Sequence, residues 1–188
     1  ALCRAVDDHV GRYRDAVLTL AASIAPAAPA TSPVLDARLA RFQALHPGFL
    51  TVLAADSAGA IVSGVSAHSG VGVPVPTGGR GIPDRPYFRV PMEEARTRRG
   101  AAPRAFVSEA FLGRGFGTDP IVAVSATVPG ADGRPTGIVE GSLDLRAFAR
   151  IGRGYAREDG VTFAVVDPRD RVIYSSAALR LPPLSDVS

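Results

Sequence analysis

Val6, Val10, Tyr13, Val17, Leu20 and Ile24 recur at alternating steps of four and three, while Asp7, Asp8, Arg12, Arg14 and Asp15 fill the other positions. That period predicts an amphipathic helix of several turns, halted at Pro26. Its apolar stripe is narrow and heptad-like, which suits packing on a sheet or pairing with a second copy of the chain. The segment APAAPATSP reads as a linker. Ser32 followed by Pro33 gives a cap and first-turn signal for a second helix that carries Leu35, Leu39, Phe42 and Leu45 and ends before Pro47 and Gly48.

The period then shortens. FLTVLAADSAGAIVSGVS is an apolar run, a turn built on Asp56, Ser57 and Gly59, and a second apolar run, which predicts an antiparallel hairpin. Residues 68–83 are too rich in Gly and Pro for a helix or a central strand, so they must lie over other elements. DRPYF opens a helix running to near Gly100, with Asp84 as its expected cap and Pro86 in its first turn. Three strand candidates follow, AFVSEAFL, DPIVAVSATV and TGIVEGSLDL, the last two joined by PGADGRP. The predicted plan is α+β: a five-stranded antiparallel sheet flanked by helices. Past Leu145 a short helical stretch, RAFARI, leads into VTFAVVDPRDRVIYSS. This repeats the pattern of LTVLAADSAGAIVSG, with Asp167 standing where Asp56 stood.

Composition removes several kinds of chemistry. All 21 basic residues are arginine, so no Walker lysine, Schiff-base lysine or lysine general base is available. The net charge is only +3 and the arginines are scattered, with RTRR (Arg96 to Arg99) the one dense cluster; it reads as a solvated helix end, and no nucleic-acid partner is expected. No apolar run approaches the roughly 18 residues that a membrane-spanning helix needs. Cys3 stands alone and forms no internal disulfide. His9, His46 and His68 match no metal spacing, and neither metal nor cofactor is expected. No catalytic residues are assigned, because Gly-x-Ser-x-Gly, His-Glu-x-x-His and a Cys-His pairing are all missing. Glu109 and Glu140 are the one candidate carboxylate pair, although strand glutamates more often face solvent. The glycine-rich stretch Gly113 to Gly117 resembles a phosphate loop only in composition, since no helix follows it.

Arg85, Tyr87 and Phe88 are the candidate binding residues. A guanidinium fork matches a carboxylate, a ring stacks on a ligand body, and a positive helix end attracts an anion. The structural alternative pairs Arg85 with Asp84 or Glu109 and puts both rings in the core.

DRPYF (84–88), FVSEAF (106–111), PIVAVSATVPGADGRPTGIVEGSLDL (120–145) and the helix before the first hairpin together resemble the extracytoplasmic Cache sensor domains, also called PDC domains, of bacterial histidine kinases, chemoreceptors and diguanylate cyclases. The likeness covers most of the chain and is strongest to the double-Cache sensors of histidine kinases. It implies N-terminal helices over 1–48, a membrane-distal PAS-like ligand-binding domain over 49–145, and a partial or reduced membrane-proximal lobe over 146–188. It also implies a periplasmic location, transmembrane helices flanking this chain, a small-molecule ligand as partner, homodimerisation as one mode of assembly, and a histidine kinase as the full-length protein. By the same resemblance Arg85, Tyr87 and Phe88 line the pocket, with Ser108 and Ser125 from the following strands. The chain departs from amino-acid-binding members in having Tyr-Phe where they carry Trp-Tyr, and in FLGRGFG, which has no acid where they carry an aspartate; Asp119 reads as a turn residue. The expected ligand is therefore an organic acid or another small anion. Two other readings stand beside it: a ligand-free dimerising spacer of the same fold, and a small secreted hydrolase.

Overall fold

The computed structural model describes residues 2–24, 33–98, 103–156 and 162–188. The predicted linker and the Ser32 cap lie outside them. The elements in chain order are α1 (Leu2–Ser23), α2 (Pro33–Leu45), β1 (Phe49–Asp56), β2 (Ile61–Ser66), a 3₁₀ turn (Ala67–Ser69), α3 (Pro86–Thr97), β3 (Ala105–Leu112), β4 (Pro120–Pro129), β5 (Pro135–Asp144), α4 (Arg146–Ala156), β6 (Ala164–Val166) and β7 (Val172–Ser175). The first five strands form one antiparallel sheet in the order β2-β1-β5-β4-β3, and β6 and β7 form a separate hairpin. This is the α+β plan expected from the alternation of periods.

Strand β5 lies at the centre, so both of its faces are covered. One face, with Val139 and Leu143, joins Val52, Val65, Val122 and Val124 and packs against Val17 and Leu20 of α1, Leu35, Leu39 and Phe42 of α2, and Phe148 of α4. Full burial of each such aliphatic side chain contributes about 1.5–3 kcal/mol. The α1 stripe is thereby spent on its own sheet. Gly141 sits where the Phe49 ring crosses β5, and a Cβ there would come within 2.5 Å of that ring. The opposite face, with Ile138, joins Leu53, Ala55, Ile61 and Ala123 beneath Ile82, Tyr87, Phe88 and Met92.

Helix α3 differs from expectation at its start. Its N-cap is Arg85, with extended backbone and no side-chain cap, instead of Asp84; Pro86 takes the first turn as predicted. Pro91 lies inside the helix. Its missing N–H leaves the Tyr87 carbonyl without its usual donor, and the Ser125 hydroxyl donates to that carbonyl at 2.6 Å. A strand serine thus repairs the helix and fixes its height above the sheet.

The two hairpin turns repeat each other atom for atom. In the first, Asp56 Oδ1 accepts from the amides of Ala58 and Ala60, both at 2.9 Å. In the second, Asp167 Oδ1 accepts from Arg169 (2.8 Å) and Arg171 (3.1 Å). Each turn places its fourth residue at positive φ, Gly59 at 86° and Asp170 at 59°. The second turn also docks: Asp167 Oδ2 accepts the Ala110 amide of β3 at 2.8 Å, where a bulge between Val107 and Ala110 interrupts the pairing with β4.

Candidate functional site

The face of the sheet away from α1 carries two neighbouring hollows. The inner one, about 50 Å³, lies between the β1, β4 and β5 strands and a cover made by the β2–α3 and β3–β4 loops. The cover is tied down at several points. His68 Nε2 meets Asp119 Oδ2 at 2.8 Å, and Arg146 reaches Asp119 Oδ1 at 3.2 Å. Arg80 donates to the Gly115 carbonyl at 2.8 Å and lies 5.0 Å over the Phe116 ring. Buried Gln43 accepts the Gly72 amide at 2.8 Å while donating to Leu50 of β1, which anchors the same loop to α2 and the sheet. The Gly/Pro-rich segment therefore does lie over the sheet, held by polar contacts instead of regular structure.

The inner wall holds a buried carboxylate. Glu140 is 1% exposed, and its one hydrogen-bond partner among the described residues is the Ser142 hydroxyl at 2.9 Å. Burial raises its pKa to about 8, and the Ser142 hydrogen bond offsets only part of that rise. Across the hollow Tyr87 is also buried; desolvation first, and then the charge of Glu140, push its phenol well above the ordinary range. Asp119 adds a second carboxylate to the lining.

The outer hollow is a groove of about 630 Å³ between α3, β3 and the β6–β7 turn. Tyr87, Phe111 and Arg114 line both spaces, and the first two form the partition, with ring centroids 5.9 Å apart and planes inclined by 16°. Arg114 makes no ion pair among the described residues.

The five residues expected from the sequence fall in different places. Tyr87 stands in the partition. Arg85 faces the groove, 3.8 Å from Asp84, and does not line the inner hollow. Ser108 also lines the groove, but its hydroxyl is occupied at the bulge, accepting from the Ala123 amide and donating to the Glu109 carbonyl. Phe88 is core, and Ser125 is fully buried on the Tyr87 carbonyl. Glu109 and Glu140 do not form a pair, since Glu109 turns toward Arg169 and Arg171 at the sheet edge. Glu140 was readable: a lone acid within the apolar run of a central strand, covered on both faces, has no route to solvent. Asp119 is no bystander either, because the turn that carries it closes the cover.

No family model matches the chain, and no curated protein does. Solved structures do. The ligand-binding domain of the Campylobacter jejuni chemoreceptor Tlp3, bound to 4-methylisoleucine, aligns at a TM-score of 0.70 with 15% identity, covering 100% of this chain and 70% of that one. That of the Pseudomonas fluorescens chemoreceptor CtaA with L-valine gives 0.62 at 16% identity over 95% and 72%. The Pseudomonas aeruginosa amino acid chemoreceptor PctC with GABA gives 0.60 at 18% identity over 89% and 68%. The chain has the fold of these sensor domains. At such identities the likeness is one of fold.

Proposed function

We propose that this chain is the extracytoplasmic ligand-sensing domain of a bacterial transmembrane receptor, without enzymatic activity of its own, and that its ligand is a small amino acid or related zwitterion. The fold supports the first part. Chemoreceptors with this fold hold amino acids and GABA, and the output, whether a chemoreceptor's or a histidine kinase's, belongs to the rest of the protein. Residues 49–145 form the sensing lobe and 146–188 a reduced second lobe, with membrane segments outside this chain; homodimerisation is a further part of this reading.

Glu140 carries the choice of ligand. A carboxylate enclosed with one hydroxyl partner is costly as an anion, and an arriving ammonium group turns that cost into an ion pair. An organic acid alone brings no ammonium group and gains no ion pair with Glu140, so the preference for a simple anion does not fit the inner hollow. A carboxylate at the other end of a zwitterion meets Arg114. As it stands, 50 Å³ holds about three to five waters at ~10–15 Å³ each, less than an amino acid needs. Binding therefore requires the Tyr87–Phe111 partition and the cover to shift, and the ligand drives that shift by its differential affinity for the open arrangement.

The test is a thermal-shift screen of the amino acids with their deaminated and decarboxylated analogues. A ligand at a hundred times its Kd adds about 2.7 kcal/mol of stability. The expected hits carry an amine and vanish in Glu140→Gln. Hits among deaminated acids alone, unaffected by that substitution, would refute the ligand assignment.

A further inference from the structure

We propose that the outer groove is a second binding site, specific for a carboxylate with an apolar or aromatic body, and that such a ligand bridges the two lobes. Its walls come from both: Arg85 and Val90 from α3, Phe106, Phe111 and Leu112 from β3, and Pro168, Arg169 and Arg171 from the β6–β7 turn.

Charge is unevenly answered there. Glu109 takes Arg169 at 2.6 Å and Arg171 at 3.1 Å, and Asp167 takes Arg171 at 3.2 Å. Those two carboxylates satisfy the two arginines of the hairpin. Arg85 has only a loose 3.8 Å contact with Asp84, whose side chain is 76% exposed, and Arg114 has no acidic partner among the described residues. Two guanidinium groups thus face a hollow of about 630 Å³ without a close counter-charge. Planar guanidinium groups favour carboxylates in forked geometry. Apart from Tyr87, Ser108 and Glu109, the remaining lining is apolar, including Leu112, which is 50% exposed at the rim. A hydrated inorganic ion leaves that apolar surface uncovered, whereas an aryl or branched alkyl carboxylate covers it while placing its charge on Arg85.

Binding of benzoate and its neutral counterpart benzamide, measured by titration calorimetry on the same chain, tests the site. Benzoate is expected to bind and benzamide to bind at least tenfold more weakly. Arg85→Gln is expected to weaken benzoate by about tenfold or more, the equivalent of one lost charge-assisted contact, and Arg169→Gln to weaken it less, both with unchanged melting temperature in the absence of ligand. Glu140→Gln should leave benzoate affinity unchanged while abolishing the amino acid response, which separates this site from the inner one. Equal binding of benzoate and benzamide, or benzoate affinity lost in Glu140→Gln and retained in Arg85→Gln, would overturn the proposal.

Discussion

On one side of the Tyr87–Phe111 partition the wall is acidic and the space small, about 50 Å³; on the other the space is about 630 Å³, rich in arginine and built from α3, β3 and the β6–β7 turn. The inner hollow is made by consecutive neighbours in one sheet, so its chemistry is set by which residue of β5 points inward. The outer groove depends on a short hairpin docked on β3 through Asp167 and through the pairing of Arg169 and Arg171 with Glu109. The contrast teaches that the inner carboxyl is costly to ionise until a cation pairs with it, whereas the outer charges remain partly solvated and screened.

The largest expected effect comes from neutralising the inner wall. The folded pKa of Glu140, about 8, lies above its ordinary value of 4.5, so the group costs nothing below pH 4.5, becomes destabilising as pH rises, and reaches its full penalty above pH 8. Glu140→Gln should therefore stabilise the unliganded protein by about 3 kcal/mol at pH 7, with little change at pH 4. Urea unfolding across that range measures it. No pH-dependent gain would mean that the carboxylate is better solvated than its enclosure implies.

Next comes the foundation of the outer wall. Burial alone would raise the Asp167 carboxyl, but the amides of Arg171, Ala110 and Arg169 together hold it below the usual range. Asp167→Ala strips acceptors from two turn amides and from the buried Ala110 N–H, and should cost about 2–4 kcal/mol. Asp56→Ala, at the matching turn with no docking contact, should cost about 1 kcal/mol. Equal losses in chemical denaturation would erase the distinction between the hairpins.

A smaller effect than that of Asp167 tests the partition's footing. Ser125→Ala leaves the Tyr87 carbonyl unpaired under Pro91, at a cost of about 1–2 kcal/mol. In a Pro91→Ala background the restored N–H serves that carbonyl, and the penalty should fall toward zero in a double-mutant cycle. An unchanged penalty would show that the hydroxyl matters for packing alone.

The fold was largely legible because periods of 3.6 and 2 follow each other cleanly, and because Asp56 and Asp167 mark the same turn. The site was legible only in part. DRPYF correctly opens a helix over the sheet, but the cap fell one residue late, since Pro86 forces extended backbone on Arg85. Arg85 then points to the groove, a direction no spacing encodes. Ser108 and Ser125 look like pocket hydroxyls in a strand pattern; their jobs, at a bulge and beneath a helix proline, exist only once β3, β4 and α3 have met. Glu140 was set aside as a solvent-facing strand acid, although the apolar residues around it and the central place of its strand pointed inward.

The most direct measurement is the proton count on binding. Calorimetry of the best amino acid ligand at pH 7, in buffers of different ionisation enthalpy, should show nearly one proton released per ligand as the ammonium group forces Glu140 to ionise, and none released in Glu140→Gln. Binding without proton release in the unaltered protein would contradict the account.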